Sequence, residues 1–157
     1  MNDVEKAYLA GIVDGDGSIC LFHKKNKTIR RGYYYEPALI ISNNDKKLLD
    51  EITRITGIIY NPVKRRSWRS NPNHTQGYFF WVGRMASLLK LLKEIAPFLI
   101  SKRRRAEMLI EFLEIQKELR GGVLRNRGNS SKTYDYTERQ HEIFREIKRL
   151  NQRGVFE

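Results

Sequence analysis

The stretch Leu9-Ala10-Gly11-Ile12-Val13-Asp14-Gly15-Asp16-Gly17 decides how the rest of the chain is read. It has the pattern of the last turns of a helix that ends in two carboxylates. Upstream, Asn2 stands where an N-cap would, and Glu5 follows three residues later, the spacing of a capping box. Downstream, Gly15 and Gly17 let the chain stop and turn. Ala7, Gly11 and Gly15 recur every fourth residue, so one helix face carries almost no side chain. Such a face admits a second helix at close range. Leu9, Ile12 and Val13 supply the apolar remainder.

The carboxylates are the odd part. A helix C-terminus is its negative end, and an acid there costs roughly 0.3–1 kcal/mol. Asp14 and Asp16 both stand there. Two such helices side by side would gather four acids in one small region. A hard divalent cation, Mg²⁺ or Ca²⁺, suits such an oxygen-rich cluster. The plainer alternative is a turn in which Asp14 caps and Asp16 forms an Asx-turn before a strand.

The 157 residues suffice for one ordinary domain with a real core, so 1–157 is expected to form a single unit. Lys and Arg number 30 against 18 acids, a net charge of +12. That balance implies an anionic partner: nucleic acid most often, otherwise a membrane surface or the ribosome. No run approaches the roughly 18 apolar residues a membrane span needs. The motif helix starts almost at Met1 with no signal-peptide pattern before it. The expectation is an intracellular protein, whether in an archaeal cytoplasm, an organelle or a nucleus. Cys20 is alone, which excludes an intrachain disulfide and a cysteine zinc site. His23, His74 and His141 have no ligand spacing.

In order, Ser18 to Lys27 reads as a strand. Ile19 and Leu21 fall on one face; Cys20, Phe22, Lys24 and Asn26 fall on the other. A basic hairpin tip follows, and Tyr33 to Ser42 returns as a second strand. Asn44 is placed to cap a helix over 45–56, which Gly57 ends. Residues 58–68 read as a third strand entered through Pro62, and 77–82 as an aromatic fourth. Leu88, Leu89, Leu92 and Ile95 stripe a third helix that Pro97 stops. Ser101 is placed to cap a fourth, which Gly121-Gly122 ends. Residues 120–136 read as irregular. Thr137 and Gln140 form another capping box, opening a last helix. The order is αββαββα with two further helical pieces, and the motif helix occurs once.

The nonapeptide resembles the signature of the LAGLIDADG homing endonucleases, of the single-motif, homodimeric type. It departs at Ile12, Val13 and Gly15; the first two keep bulk, and Gly15 keeps a small residue on the packing face. Ser18-Ile19 continues the likeness. Ala96-Pro97-Phe98-Leu99-Ile100-Ser101-Lys102 resembles a second family segment, a proline-led turn before a lysine near the active site. The resemblance covers roughly residues 4–118 and leaves 119–157 as an extension. It implies an α+β fold: two β-hairpins forming one curved antiparallel sheet, with helices on one face.

It also implies an activity: an intron-encoded homodimer that binds a long, pseudo-palindromic double-stranded DNA and hydrolyses one phosphodiester per strand across the minor groove, leaving 3′ overhangs. The implied cofactor is Mg²⁺, with Mn²⁺ as a substitute and Ca²⁺ binding without supporting cleavage. Neither a membrane nor a small-molecule cofactor is implied. Asp16 matches the metal-binding acid, with the Gly15 carbonyl beside it. Lys102 matches the basic residue that orients water or stabilises the phosphorane. Asn43 falls where the family often has glutamine, and Lys46 or Lys47 stands near as a further base. Ala7, Gly11 and Gly15 would form the dimer interface.

A sheet with helices on one face presents the other to a partner, and a β surface can enter the major groove. The candidates for DNA contact are Lys24, Asn26, Arg30, Arg31, Tyr34, Glu36, Lys64, Arg66 and Trp68. Arg65 and Arg69 join them because a bulge at Pro62 would flip the parity. The competing readings are a solvated basic surface, a transcription regulator or intron maturase on the same scaffold, and a ribosome-associated protein.

Overall fold

The computed structural model describes residues 1–63, 76–124 and 134–152. The elements are α1 (Asp3–Asp16), β1 (Gly17–Lys25), β2 (Tyr33–Asn43), α2 (Lys46–Thr56), β3 (Asn61–Pro62), β4 (Tyr78–Val82), α3 (Met85–Ile95), α4 (Arg103–Leu119) and α5 (Glu138–Leu150), with a 3-10 turn over Ala96–Phe98. This is the α+β order expected from the sequence.

The period-2 pattern of the hairpin sets the sheet. β1 and β2 pair antiparallel, with Ile19 opposite Leu39 and Leu21 opposite Pro37. β4 adds to β2 with Ile41 opposite Phe80, and the sheet order is β1-β2-β4-β3. Ile19, Leu39, Ile41, Phe80 and Val82 turn to one face and are buried. Against them pack Leu9 and Val13 of α1, Leu49 and Ile52 of α2, Leu88, Leu92 and Ile95 of α3, and Leu109 and Leu113 of α4. Each helix contributes residues three or four apart, the stripe that one buried side requires. All four helices therefore lie on the same side of the sheet.

The capping box of α1 forms: Asn2 Oδ1 accepts from the Glu5 amide at 2.9 Å, and Glu5 Oε2 accepts from the Asn2 amide at 3.1 Å. The other end differs from expectation. Gly17 is extended (φ −82°, ψ 157°) and needs no left-handed freedom. It is glycine because a Cβ there would lie 2.7 Å from Val13 Cα and 2.8 Å from Val13 O. Asp45, not Asn44, caps α2, accepting from the amides of Lys47 and Leu48. Ser101 does not cap α4; Lys102 holds that position, and the serine hydroxyl turns elsewhere. The third strand is shorter among the described residues than expected, and residues 64–68 of that prediction lie outside them.

The C-terminal segment completes the core. β4 pairs β2 only from Leu39 to Asn43, so the far half of the hairpin lacks a neighbour on that edge. Pro37 sits on this stretch, where a missing N–H costs no ladder bond. The Tyr35 amide, on the same edge, donates to Tyr136 Oη at 2.9 Å. Beneath it α5 covers the hairpin: the Tyr35 ring stacks on Phe144 at 4.6 Å, and its hydroxyl meets His141 Nδ1 at 2.8 Å. Ile143, Ile147 and Leu150 are buried. Asn151 Nδ2 donates to the Ile19 carbonyl at 2.9 Å, satisfying an acceptor of β1. Among the described residues no helix is long and apolar enough to cross a membrane.

Candidate active site and open sheet face

The two acids at the end of α1 have separate tasks. Asp14 turns toward the start of α4. Its carboxylate accepts from the Ile100 amide at 2.7 Å, the Ser101 hydroxyl at 3.1 Å and the Lys102 amide at 3.0 Å. The amides at a helix start lack intrahelical partners and lie at its positive end, so a carboxylate from another helix serves there as a cap. Lys102 answers in the opposite direction. Its Nζ donates to the carbonyls of Val13 at 2.9 Å and Asp14 at 2.8 Å, at the negative end of α1. The acid placed at the wrong end of its own helix is thus placed at the right end of another.

Asp16 is exposed. Its Oδ2 accepts from Asn43 Nδ2 at 2.8 Å, and Asn43 Oδ1 accepts from the Asp45 amide at 2.8 Å. Asn43 thereby ties the end of α1 to the start of α2. The structure brings Asp16 and Asn43 into contact and sets Lys102 at the same helix end, on carbonyls two and three residues before Asp16. Lys46 Nζ binds Asp50 at 2.9 and 3.0 Å, and these hydrogen bonds hold its pKa well above the ordinary lysine range. Lys47 is exposed.

Oxygen donors such as Asp16 and the Gly15 carbonyl suit a hard cation, and Mg²⁺ demands near-octahedral oxygen coordination. Among the described residues no group of three or more His, Cys, Asp or Glu side chains could hold a metal. The donor chemistry fits; the donor number among the described residues does not complete such a shell. The small-residue face of α1 is open. Ala7, Gly11 and Gly15 are exposed and line a shallow groove of about 390 Å³ with Tyr8, Ile12, Leu48 and Asp16. A Cβ on Gly11 or Gly15 would meet nothing within 4 Å.

On the sheet's other face the strand register aligns Lys24 with Tyr34 and Phe22 with Glu36. Lys24 Nζ lies 3.7 Å from Glu36 and 5.2 Å above the Phe22 ring. These three candidates share the open face. Asn26 does different work, its Oδ1 accepting from the Thr28 amide and hydroxyl within the hairpin loop. Arg30 pairs with Asp135 at 2.8 Å and stays exposed. Arg31 turns to the helix side. Its guanidinium lies 4.2 Å over the Tyr136 ring and donates to Tyr136 Oη and to the carbonyls of Tyr33 and Tyr134. With a π-face and three acceptors engaged, it anchors the C-terminal segment. Lys64, Arg65, Arg66, Trp68 and Arg69 lie outside the described residues. Sequence reasoning passed over Phe22 and Trp81 on the open face, where their rings lie parallel, 5.9 Å apart. Strand parity places Phe22 on that face, and Trp81 follows by alternation with the buried Phe80 and Val82.

No protein-family model and no curated protein matches the sequence. Solved structures do match. The archaeal intron-encoded homing endonuclease I-Vdi141I, solved with DNA, superposes with a TM-score of 0.68 at 19% identity, over 98% of this chain and 87% of that one. The homing endonuclease I-CvuI gives 0.60 at 20% identity, over 92% of this chain and 95% of that one. The LAGLIDADG homing endonuclease I-SmaMI gives 0.64 at 16% identity, over 99% of this chain and 45% of that one. The chain has the LAGLIDADG homing-endonuclease fold.

Proposed function

We propose that this chain is a site-specific homing endonuclease that binds a long double-stranded DNA as a homodimer and hydrolyses one phosphodiester on each strand across the minor groove, leaving 3′ overhangs. The observation that carries the reading is Asp16: an exposed carboxylate at the end of α1, steadied by Asn43, on the rim of the open small-residue face of the same helix. The fold supports it, because I-Vdi141I was solved with DNA and I-SmaMI with cleaved DNA. I-CvuI was solved on DNA in the presence of magnesium and of calcium.

One chain brings one Asp16, and cutting two strands needs two. A second copy seated on Ala7, Gly11 and Gly15 would bring its own Asp16 alongside. Asp16 and the Gly15 carbonyl would then lend oxygens to Mg²⁺ or Mn²⁺, together with the scissile phosphate. A divalent cation there supplies positive charge against the phosphorane and the leaving 3′ oxygen. Asn43 keeps the Asp16 carboxylate from swinging. Lys102 keeps an ammonium where charge develops on the phosphate. The net charge of +12 supplies the attraction to the duplex. The C-terminal segment acts with the rest of 1–157 as one domain, since α5 covers the hairpin that would enter the groove.

The test is incubation of a randomised duplex library with the protein and Mg²⁺, Mn²⁺, Ca²⁺ or chelator, followed by sequencing of the ends. The expected result is one enriched pseudo-palindromic site cut with 3′ overhangs in Mg²⁺ and Mn²⁺, and bound without cutting in Ca²⁺. Enriched binding with no cleavage in any metal would make the chain a non-catalytic binder on this scaffold. Cleavage unaffected by chelator would overturn the role given to Asp16.

A further inference from the structure

The middle of the open sheet face is apolar, and its chemistry points to a specific base feature. Phe22 of β1 and Trp81 of β4 stand on opposite sides of β2 and lean toward each other, their rings parallel within 9°. Between them, on the same face, is Ala38, which is fully buried although no described helix covers that side. The indole is fixed from beneath: a Cβ on Gly83 would lie 2.5 Å from Trp81 Nε1, so the chain there leaves room for nothing but the ring. Cys20, opposite Ala38, is half-buried at the patch margin. Charge borders the patch on its Phe22 side, where Lys24 Nζ lies 5.2 Å over the ring and Glu36 stands opposite it in the register.

We propose that the Phe22–Trp81 pair is a specificity determinant that reads the C5-methyl group of thymine in the major groove. The inference rests on the duplex-cutting reading above. The thymine methyl is the one bulky apolar group among the donors and acceptors on the major-groove edges of the bases. Pressing a donor or acceptor against the aromatic rings themselves strips its water and returns no bond. Pressing a methyl there removes apolar surface from water on both sides. The patch therefore favours thymine by attraction and disfavours the other edges by desolvation. The order of side chains also places the contact. Phe22 lies about 17 Å beyond Gly17 at ~3.4 Å per strand residue. That is about five base-pair steps from the scissile region at ~3.4 Å per step. The polar trio Lys24, Tyr34 and Glu36 would read further out.

The experiment selects binders from a randomised duplex pool in Ca²⁺ with the full wild-type chain, then replaces each thymine of the winning site by uracil, which lacks only the methyl. At one or two positions per half-site, about four to seven base pairs from the centre, affinity should fall about fourfold, the effect of one buried methyl-sized group. Replacing the same thymine by 5-iodouracil and irradiating should attach the DNA to Phe22 or Trp81, read by peptide mapping of the wild-type protein. Phe22→Gln and Trp81→Gln should each abolish the uracil penalty at those positions. A selected site that tolerates uracil everywhere, or a crosslink mapped elsewhere, overturns the methyl-reading pair and leaves the endonuclease reading intact. A pool from which no duplex is enriched overturns both.

Discussion

Asp14 and Lys102 cap each other's helices. The Asp14 carboxylate accepts from the Lys102 amide at 3.0 Å, and the Lys102 ammonium donates to the Asp14 carbonyl at 2.8 Å. Asp14→Ala removes a charged acceptor from two amides and a hydroxyl and should cost about 2 kcal/mol, the range of a lost cap and of bonds to a charged group. Lys102→Met should cost about 1 kcal/mol. The double variant should lose less than the sum, because both substitutions loosen the same joint. Urea denaturation of the four proteins measures the coupling; strictly additive losses would refute the reciprocal cap.

The docking of α5 should weaken in acid. Arg139 binds Glu111 of α4 at 2.6 Å, and Arg104 of α4 binds Glu146 at 2.9 Å. The Arg139 guanidinium holds the Glu111 carboxyl below the usual glutamate value of 4.5, and Arg149, with Arg104, does the same for Glu146. A carboxyl whose folded pKa is depressed binds fewer protons folded than unfolded. Its stabilisation is full above pH 4.5 and is lost as pH falls through the folded value. The protection of α5 amides relative to their intrinsic exchange rate at each pH should therefore fall below about pH 4.5, and Glu111→Gln with Glu146→Gln should flatten the dependence. Protection in α5 that is constant down to about pH 3 would show that these pairs do not hold the helix.

The main elements were legible because each rests on a local pattern. Asn2 and Glu5 cap α1, Ile19 and Leu21 alternate with solvent-facing neighbours, and Thr137 with Gln140 opens α5. What sequence reading missed depends on partners distant in the chain. Nothing near Ser101 reveals that its hydroxyl serves Asp14, which is 87 positions away. Arg31 sits in a run of basic residues, and only the return of Tyr136 across the hairpin end shows why it faces inward. Gly17 looks like a turn glycine, but its constraint is the Val13 backbone. Asp16 and Asn43 are each named through the family resemblance, and only the structure shows that they touch, 2.8 Å apart.

Two glycines of the same helix end should respond oppositely. Gly11 is exposed, and a Cβ there meets nothing, so Gly11→Ala should raise the chain's own stability by up to ~1 kcal/mol through helix propensity. Gly17→Ala drives a Cβ into Val13 backbone and should lower the thermal midpoint. If Ala7, Gly11 and Gly15 seat a second copy, Gly11→Leu should fold well, sediment as a monomer and lose double-strand cutting. A wild-type chain that is monomeric both free and on DNA would exclude the homodimer.

The last expectation concerns Asp16 and the residue that steadies it. Asp16→Asn keeps the shape and can still pair with Asn43, while removing one negative charge per chain. The acid stands at the negative end of α1, where its charge destabilises, so the variant should unfold at the same urea concentration as wild type or higher. Binding in metal-free buffer should hold or improve, because less negative charge faces the phosphates. Cutting should fall at least ~10²-fold, the scale seen when an electrostatic catalytic group is removed. Asn43→Ala leaves the charge and frees the carboxylate to swing. It should lower the cutting rate by a smaller factor while raising the Mg²⁺ concentration needed for half-maximal rate. The paired outcome is the discriminating one: a turn residue without catalytic work would lose stability in Asp16→Asn and show no shift in metal demand in Asn43→Ala. Normal cutting by Asp16→Asn in Mg²⁺ would remove Asp16 from the active site altogether.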